Sequence, residues 1–130
     1  MILLDTHIWL RWLLPTAPLS IKLVEKIEHA DAVFISAISC WEMVMLAQKQ
    51  RIVLDQPIEQ WLTEASTGSG VEVLPLTCQI SRVAATLPEH HKDPADRLII
   101  ATALCHDLKL ISLDRMFSAY PELTERLIAE

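Results

Sequence analysis

The sequence has little cysteine, little glycine and no long apolar run, and each shortage excludes a class of protein. The three cysteines among 130 residues (Cys40, Cys78 and Cys105) are odd in number and far apart. That pattern argues against a disulfide framework and a zinc site, and favours free thiols in a cytoplasmic protein. No apolar stretch reaches the roughly 18 residues that span a bilayer, and the N-terminus lacks the basic region of a signal peptide. We expect no membrane contact.

Basic residues are also in short supply. The chain has eleven lysines and arginines and seventeen aspartates and glutamates, which gives a net charge of −6. This balance does not favour a protein that holds nucleic acid by counterion release alone. It is compatible with a cluster of acids that needs divalent cations, or with a basic partner.

The pattern along the chain predicts one α/β domain over residues 1–130. Short apolar or β-branched runs predict strands at 1–4, 32–35, 71–74 and 109–112. Strands that alternate with helices form a parallel sheet with helices on both faces. The expected fold is therefore a three-layer α/β/α sandwich of four or five strands. The uncertain strand lies in the tail 121–130, which fits a last helix or an edge strand.

Helical spacing and turn residues predict the segments between the strands. Helix 6–14 is expected to end at Pro15 and Pro18. Pro57 suits the first position of helix 58–65, and the glycine-containing stretch 66–70 resembles a loop. The remaining predicted segments are a helix capped by Ser20, helices 36–49 and 77–86, a loop at 87–92, a helix 97–106 opened by 93–96 with Asp93 as its N-cap, and a helical turn at 116–120.

Four acids stand where predicted strands and helices meet. Asp5 ends the first strand, and Asp114 lies two residues past the fourth. Glu42 is in the first turns of the helix after the second strand, and Asp96 is in the first turn of the helix before the fourth. Because ligands of open parallel sheets bind beyond the carboxyl ends of the strands, we expect Asp5, Glu42 and Asp114 at one edge. Asp96 joins them if its helix begins at that edge.

Four neighbouring carboxylates repel one another unless a counter-charge is present. Mg²⁺ and Mn²⁺ prefer carboxylate and water oxygens, so either ion would supply that charge. Such a site hydrolyses phosphodiesters with a metal-activated water.

Each acid also has a local alternative that the sequence leaves open. Asp5 and Asp114 could simply cap the helical segments that follow them. Glu42 lies three residues after Ser39, which is the spacing of a capping box. Asp96 would favour the dipole of its own helix.

The order of these motifs resembles the PIN domain family over nearly the whole chain, and most closely the VapC-like toxins of bacterial type II toxin–antitoxin systems. Four stretches carry the resemblance: Leu3-Leu4-Asp5-Thr6-His7, Ile35-Ser36-Ala37-Ile38-Ser39-Cys40-Trp41-Glu42, Asp93-Pro94-Ala95-Asp96-Arg97-Leu98-Ile99-Ile100-Ala101 and Leu110-Ile111-Ser112-Leu113-Asp114. Ser112 stands where a threonine is more usual in the family.

The resemblance implies a Mg²⁺- or Mn²⁺-dependent endoribonuclease of RNA that a cognate antitoxin inhibits and that commonly forms a homodimer. It implies catalytic and metal-binding roles for four acids: Asp5, Glu42, Asp96 and Asp114. Hydroxyl groups of Thr6 and Ser112 would support them.

Arg97 is the remaining candidate, since its cation could contact a phosphate or pair with an acid. Two other functions stay open. One is a phosphatase with Asp5 as a covalent nucleophile, although His7 stands where such enzymes usually carry a second acid. The other is a PIN-like module that binds a partner without catalysis.

Overall fold

The computed structural model describes residues 1–14, 18–90 and 92–129. Five strands form one parallel sheet in the order β3-β2-β1-β4-β5. They are β1 (Ile2–Leu4), β2 (Val33–Ser36), β3 (Glu72–Leu74), β4 (Lys109–Ile111) and β5 (Leu127–Ile128). Because β1 lies between β2 and β4, the direction of strand order reverses at the middle of the sheet.

Six α-helices lie in the described residues and connect the strands. They are α1 (Thr6–Leu13), α2 (Ile21–Glu28), α3 (Ala37–Gln48), α4 (Ile58–Thr63), α5 (Cys78–Thr86) and α6 (Pro94–Cys105). Within the described ranges, none of the helices has the length and apolar character to cross a membrane.

Apolar side chains cover both faces of the sheet. Ile2 and Leu4 point to one face, where they pack with residues of α1, α2 and α4. Leu3 points to the other face and packs with α6 and the C-terminal turns. This alternation is the two-residue period of a strand, and its burial on both sides confirms the predicted α/β/α sandwich.

The strand register sets the position of everything that follows the central strand. Leu4 lies level with Ile35 of β2 and with Ile111 of β4. The backbone N–H of Asp5 donates to the carbonyl of Ile111 at 3.0 Å. The residues that follow these three positions therefore meet at the carboxyl edge of the sheet.

Short polar side chains begin the helices as the sequence predicts. The side chains of Ser20, Thr77 and Asp93 each accept a hydrogen bond from a backbone N–H two or three residues further on. These bonds satisfy N–H groups that have no partner within the helix.

The segment after α4 differs from the expected loop. Glu64–Gly68 forms a π-helical turn that extends the helix, and Pro57 is the N-cap of α4 rather than its first residue. The hydroxyls of Ser66 and Thr67 donate to the carbonyls four residues before them. Small polar residues, which usually favour loops, here satisfy the helix carbonyls with their side chains.

The tail forms the fifth strand. Two 3₁₀ turns, Arg115–Ala119 and Pro121–Leu123, lead from β4 to β5. β5 then pairs parallel with β4, with Leu127 level with Leu110. The predicted helix end at Pro15, the loop position His91 and Glu130 lie outside the described residues, and α1 is helical to Leu13. The three cysteines are free, as expected.

Replacing Leu3 by alanine is expected to lower the free energy of unfolding by about 3 kcal/mol, because the deletion leaves a cavity in a closely packed core. Leu3 is fully buried beneath α6. The matched control is Leu76→Ala, since Leu76 is 39% exposed and should change stability by well under half as much. Urea unfolding measures both. Equal losses would contradict the described packing.

Candidate active site

Asp5 is the buried centre of the carboxyl edge. Only 2% of the residue is exposed. Its Oδ1 accepts from the backbone N–H of Thr6 at 2.7 Å, and its Oδ2 accepts from the hydroxyl of Ser112 at 2.8 Å. Burial raises the pKa of the Asp5 carboxyl above its ordinary value, and the charge of Asp114 acts in the same direction. The bonds from Ser112 and Thr6 and the charge of His7 oppose that shift without cancelling it.

Ser112 connects the end of β1 to the loop after β4. While its hydroxyl donates to Asp5, its oxygen accepts from the backbone N–H of Asp114 at 3.1 Å. The support of Asp5 by Ser112 that the resemblance implied is therefore a direct contact. Ser112 is itself fully buried, so this link lies beneath the surface of the site.

Glu42 approaches Asp5 from α3 and is also held by a hydroxyl. Its Oε1 accepts from Thr6 Oγ1 at 2.6 Å. Burial raises the pKa of Glu42, the bond from Thr6 lowers it, and the charges of Asp93 and Asp5 raise it further. The two acids are thus electrostatic neighbours. Thr6 therefore donates to both acids: its hydroxyl donates to Glu42, and its backbone N–H donates to Asp5.

The capping-box interpretation of Glu42 is wrong. Helix α3 begins at Ala37, and Ser36 is its N-cap, whose hydroxyl accepts from the N–H of Ile38 at 3.2 Å. Glu42 therefore lies in the second turn, too far along the helix to reach back to the cap. Its carboxylate turns to Thr6 instead.

Two residues at the site were not assigned to it from the sequence pattern. Ser39 is fully buried, with its Oγ 2.7 Å from Thr6 Oγ1. The available signal was its spacing of three from Glu42, which puts both residues on one helix face. His7 is exposed, and its charge lowers the pKa of both Asp5 and Glu42, so it lies beside them.

The N-terminus of α6 lies at the same edge as these acids. Asp93 is its N-cap and accepts from the N–H of Ala95 at 2.9 Å. The charge of Asp93 raises the pKa of Glu42, so the beginning of α6 faces α3. Asp96, half-buried, is the third residue of this helix. Its role in binding a cation stays a prediction.

Asp114 serves the local structure and the site at once. Its Oδ1 accepts from the N–H of Met116 at 2.9 Å, which caps the first 3₁₀ turn. Its charge also raises the pKa of Asp5. Asp5 and Asp114 can therefore cap the helical segments that follow them and still lie near each other at the carboxyl edge, although the sequence analysis treated these two roles as alternatives.

Arg97 bonds to the end of α5, and its contact with a phosphate stays a prediction. Its guanidinium donates to the backbone carbonyls of Ala84 and Leu87, both at 2.8 Å, and of Pro88 at 3.1 Å. These carbonyls end α5, where the helix supplies no further N–H partners. Arg97 thus joins the C-terminus of α5 to the first turn of α6, next to Asp96.

The chemistry of this donor set fits a hard divalent cation. Asp5, Glu42, Asp96 and Asp114 supply carboxylate oxygens, which Mg²⁺ and Mn²⁺ prefer. In the described part of the chain, no three His, Cys, Asp or Glu side chains lie close enough as they stand to bind one ion.

Comparison with known proteins agrees with the fold and the order of motifs. The PIN domain family matches residues 2–123. The chain belongs to the PIN domain family. It is also 36% identical over 120 residues to Ribonuclease VapC22 of Mycobacterium tuberculosis, a match that covers 92% of this chain and 91% of that protein. The VapC-like resemblance is therefore confirmed.

Solved PIN domain structures share this fold at lower identity. VapBC2 from Rickettsia felis, bound to a promoter DNA fragment, superimposes with a TM-score of 0.72 at 18% identity and covers 98% of each chain. A toxin–antitoxin complex from Klebsiella pneumoniae gives a TM-score of 0.67 at 22% identity, covering 98% of this chain and 96% of that one. At such identities the likeness concerns the fold alone.

Asp5→Asn is expected to keep or raise the melting temperature of the metal-free PIN domain. Asparagine is as good an N-cap as aspartate, and the exchange removes a buried charge that burial and Asp114 disfavour. The control is Asp31→Asn, at an exposed position outside the site. Thermal unfolding in EDTA tests this, and a clear loss of stability confined to Asp5→Asn would contradict it.

Arg97→Met is expected to lower the free energy of unfolding by about 1–3 kcal/mol, since it leaves several helix-end carbonyls without their donor. Arg82→Met is the matched control, because Arg82 lies exposed on α5. Urea unfolding of both variants decides the matter. Indistinguishable stabilities would show that the capping contacts contribute nothing.

Proposed function

We propose that this chain is a divalent-metal-dependent endoribonuclease, the toxin of a toxin–antitoxin pair, which hydrolyses phosphodiester bonds of RNA. The observation that carries the proposal is the buried carboxylate of Asp5 at the carboxyl edge of the sheet, with Asp114 joined to it through Ser112 and Glu42 held beside it by Thr6. Similarity to a protein named Ribonuclease VapC22 over most of both chains supports it.

In this proposal Asp5, Glu42 and Asp96 hold Mg²⁺ or Mn²⁺, and Asp114 completes that site or binds a second ion. When bound, the cation lowers the pKa of a water, neutralises the phosphate and stabilises the leaving oxygen. The protein's own contribution is to fix the carboxylates. Ser112 holds Asp5, and Thr6 holds Glu42.

The negative net charge of the chain supports a bound cation as the group that attracts the phosphates of RNA. A net charge of −6 and a cluster of acids repel a phosphate backbone. The substrate is therefore drawn by the ion at the site rather than by a broad basic surface. His7 is exposed at this edge and is a candidate for contact with the substrate.

A cognate antitoxin and a second copy of the chain are the proposed protein partners. The Klebsiella pneumoniae structure named above is a toxin–antitoxin complex, which supports an antitoxin as partner. A cavity of about 710 Å³, lined by apolar residues that include Leu13, Ile52 and Trp61 and by polar ones that include Glu64, offers room for an amphipathic segment of the antitoxin.

The covalent phosphatase alternative is disfavoured on two grounds. His7 stands where such enzymes usually carry a second acid. The chain is also similar over most of its length to a protein named Ribonuclease VapC22. No observation at this site favours the alternative of a module that binds a partner without catalysis.

The test is cleavage of single-stranded RNA by the purified chain with Mg²⁺ or Mn²⁺. Cleavage should require the cation, and Asp5→Asn should lower the rate at least about 100-fold, because the loss of a ligand exceeds the 10- to 100-fold effect of a supporting residue. Asp31→Asn should cleave like the wild type.

Two results would sink the proposal. Cleavage that survives both EDTA and Asp5→Asn would show that another site does the chemistry. A folded chain that binds no Mn²⁺ in calorimetry would instead favour the binding module.

A further inference from the structure

A buried hydroxyl lies behind the contact between Thr6 and Glu42. Ser39 is the third residue of α3, and its Oγ is 2.7 Å from Thr6 Oγ1 where α1 packs on α3. Ser39 is fully buried and Thr6 is 1% exposed, so bulk water does not compete for this pair. Hydrogen bonds in such surroundings are stronger than at the surface.

The number of protons fixes the direction of these bonds. The Thr6 hydroxyl carries one proton and donates it to Glu42 Oε1 at 2.6 Å. An ionised carboxylate can only accept. The Thr6 oxygen must therefore accept from Ser39, which gives a chain of donation from Ser39 to Thr6 to Glu42.

This chain restricts what Thr6 can do. A threonine hydroxyl rotates freely among acceptors unless its surroundings choose one. With Ser39 donating to the Thr6 oxygen, the single proton of Thr6 is directed at Glu42. The Glu42 side chain is then held through Oε1, and Oε2 is left for a cation.

Helix capping does not account for Ser39. The cap of α3 is Ser36, whose hydroxyl accepts from the N–H of Ile38. Ser39 instead makes its contact across 33 residues of sequence, between two helices. Its hydroxyl therefore belongs to the link between Thr6 and Glu42, not to the start of the helix.

We propose that Ser39 is a positioning residue that orients Glu42 for cation binding by acting through the hydroxyl of Thr6. This inference rests on the proposed function, because its effect is on the affinity of the site for the cation. Residues that orient metal ligands typically change metal affinity by 10- to 100-fold.

The experiment measures the dissociation constant for Mn²⁺ by calorimetry on the full chain. The variants are Ser39→Ala, Thr6→Val and the double variant, with Ser81→Ala on the exposed face of α5 as the matched control. Ser39→Ala should weaken binding about 10-fold, and Thr6→Val at least as much. The double variant should bind no more weakly than Thr6→Val alone, since Ser39 acts only through Thr6. Ser81→Ala should match the wild type.

The outcomes separate this inference from the function on which it rests. A wild type that binds no Mn²⁺ overturns the proposed function, and this inference with it. A wild type that binds, with Ser39→Ala unchanged or with losses that add in the double variant, overturns the positioning role alone. A purely structural serine would lower the melting temperature and leave Mn²⁺ affinity intact.

If Ser39→Ala does not fold, Ser39→Cys keeps a weak donor at the same place. Its affinity should then lie between those of the wild type and Thr6→Val. Affinity equal to that of the wild type would overturn the proposal.

Discussion

The burial of one carboxylate at the end of the central strand is the constraint on which the rest of the site depends. Asp5 follows Leu4, which the sheet fixes between Ile35 and Ile111. The buried carboxylate accepts hydrogen bonds from Thr6 and Ser112. Burial still raises the pKa of Asp5, since these bonds and the charge of His7 oppose that rise without cancelling it. A divalent cation would supply the missing charge.

Local and long-range roles coincide at this edge because parallel sheets end their strands there and begin their helices there. Asp5, Asp93 and Asp114 each accept a backbone N–H at the start of a helical segment. The same N–H groups and helix dipoles favour negative charge at that place. A fold can therefore gather several acids at one edge while each still stabilises its own helix. Burial raises the pKa of both Asp5 and Glu42, and repulsion from neighbouring acids adds to that rise.

Much of the fold and part of the site follow from sequence because their causes are local. Alternation of strands and helices predicted the sandwich, and Ser20, Thr77 and Asp93 marked helix starts correctly. The prediction was wrong where residues that usually favour loops form a helical turn instead. The serines and threonine of 66–69 continued a helix by bonding its carbonyls. The two-residue strand β5 forms because it pairs with β4. The amino-acid pattern of the tail alone therefore could not predict whether it is a helix or a strand.

The sequence by itself determined that Asp5, Asp96 and Asp114 stand at or next to element boundaries and that the sheet is parallel, since both depend on residues close together in the chain. Only the tertiary structure decided which donors meet which acids. Ser112 reaches Asp5 across 107 residues, and Ser39 meets Thr6 across 33, because the strand register and the packing of α1 on α3 bring them together. Spacing along the chain cannot specify such contacts. For that reason Thr6 seemed to belong with Asp5, yet its hydroxyl belongs with Glu42.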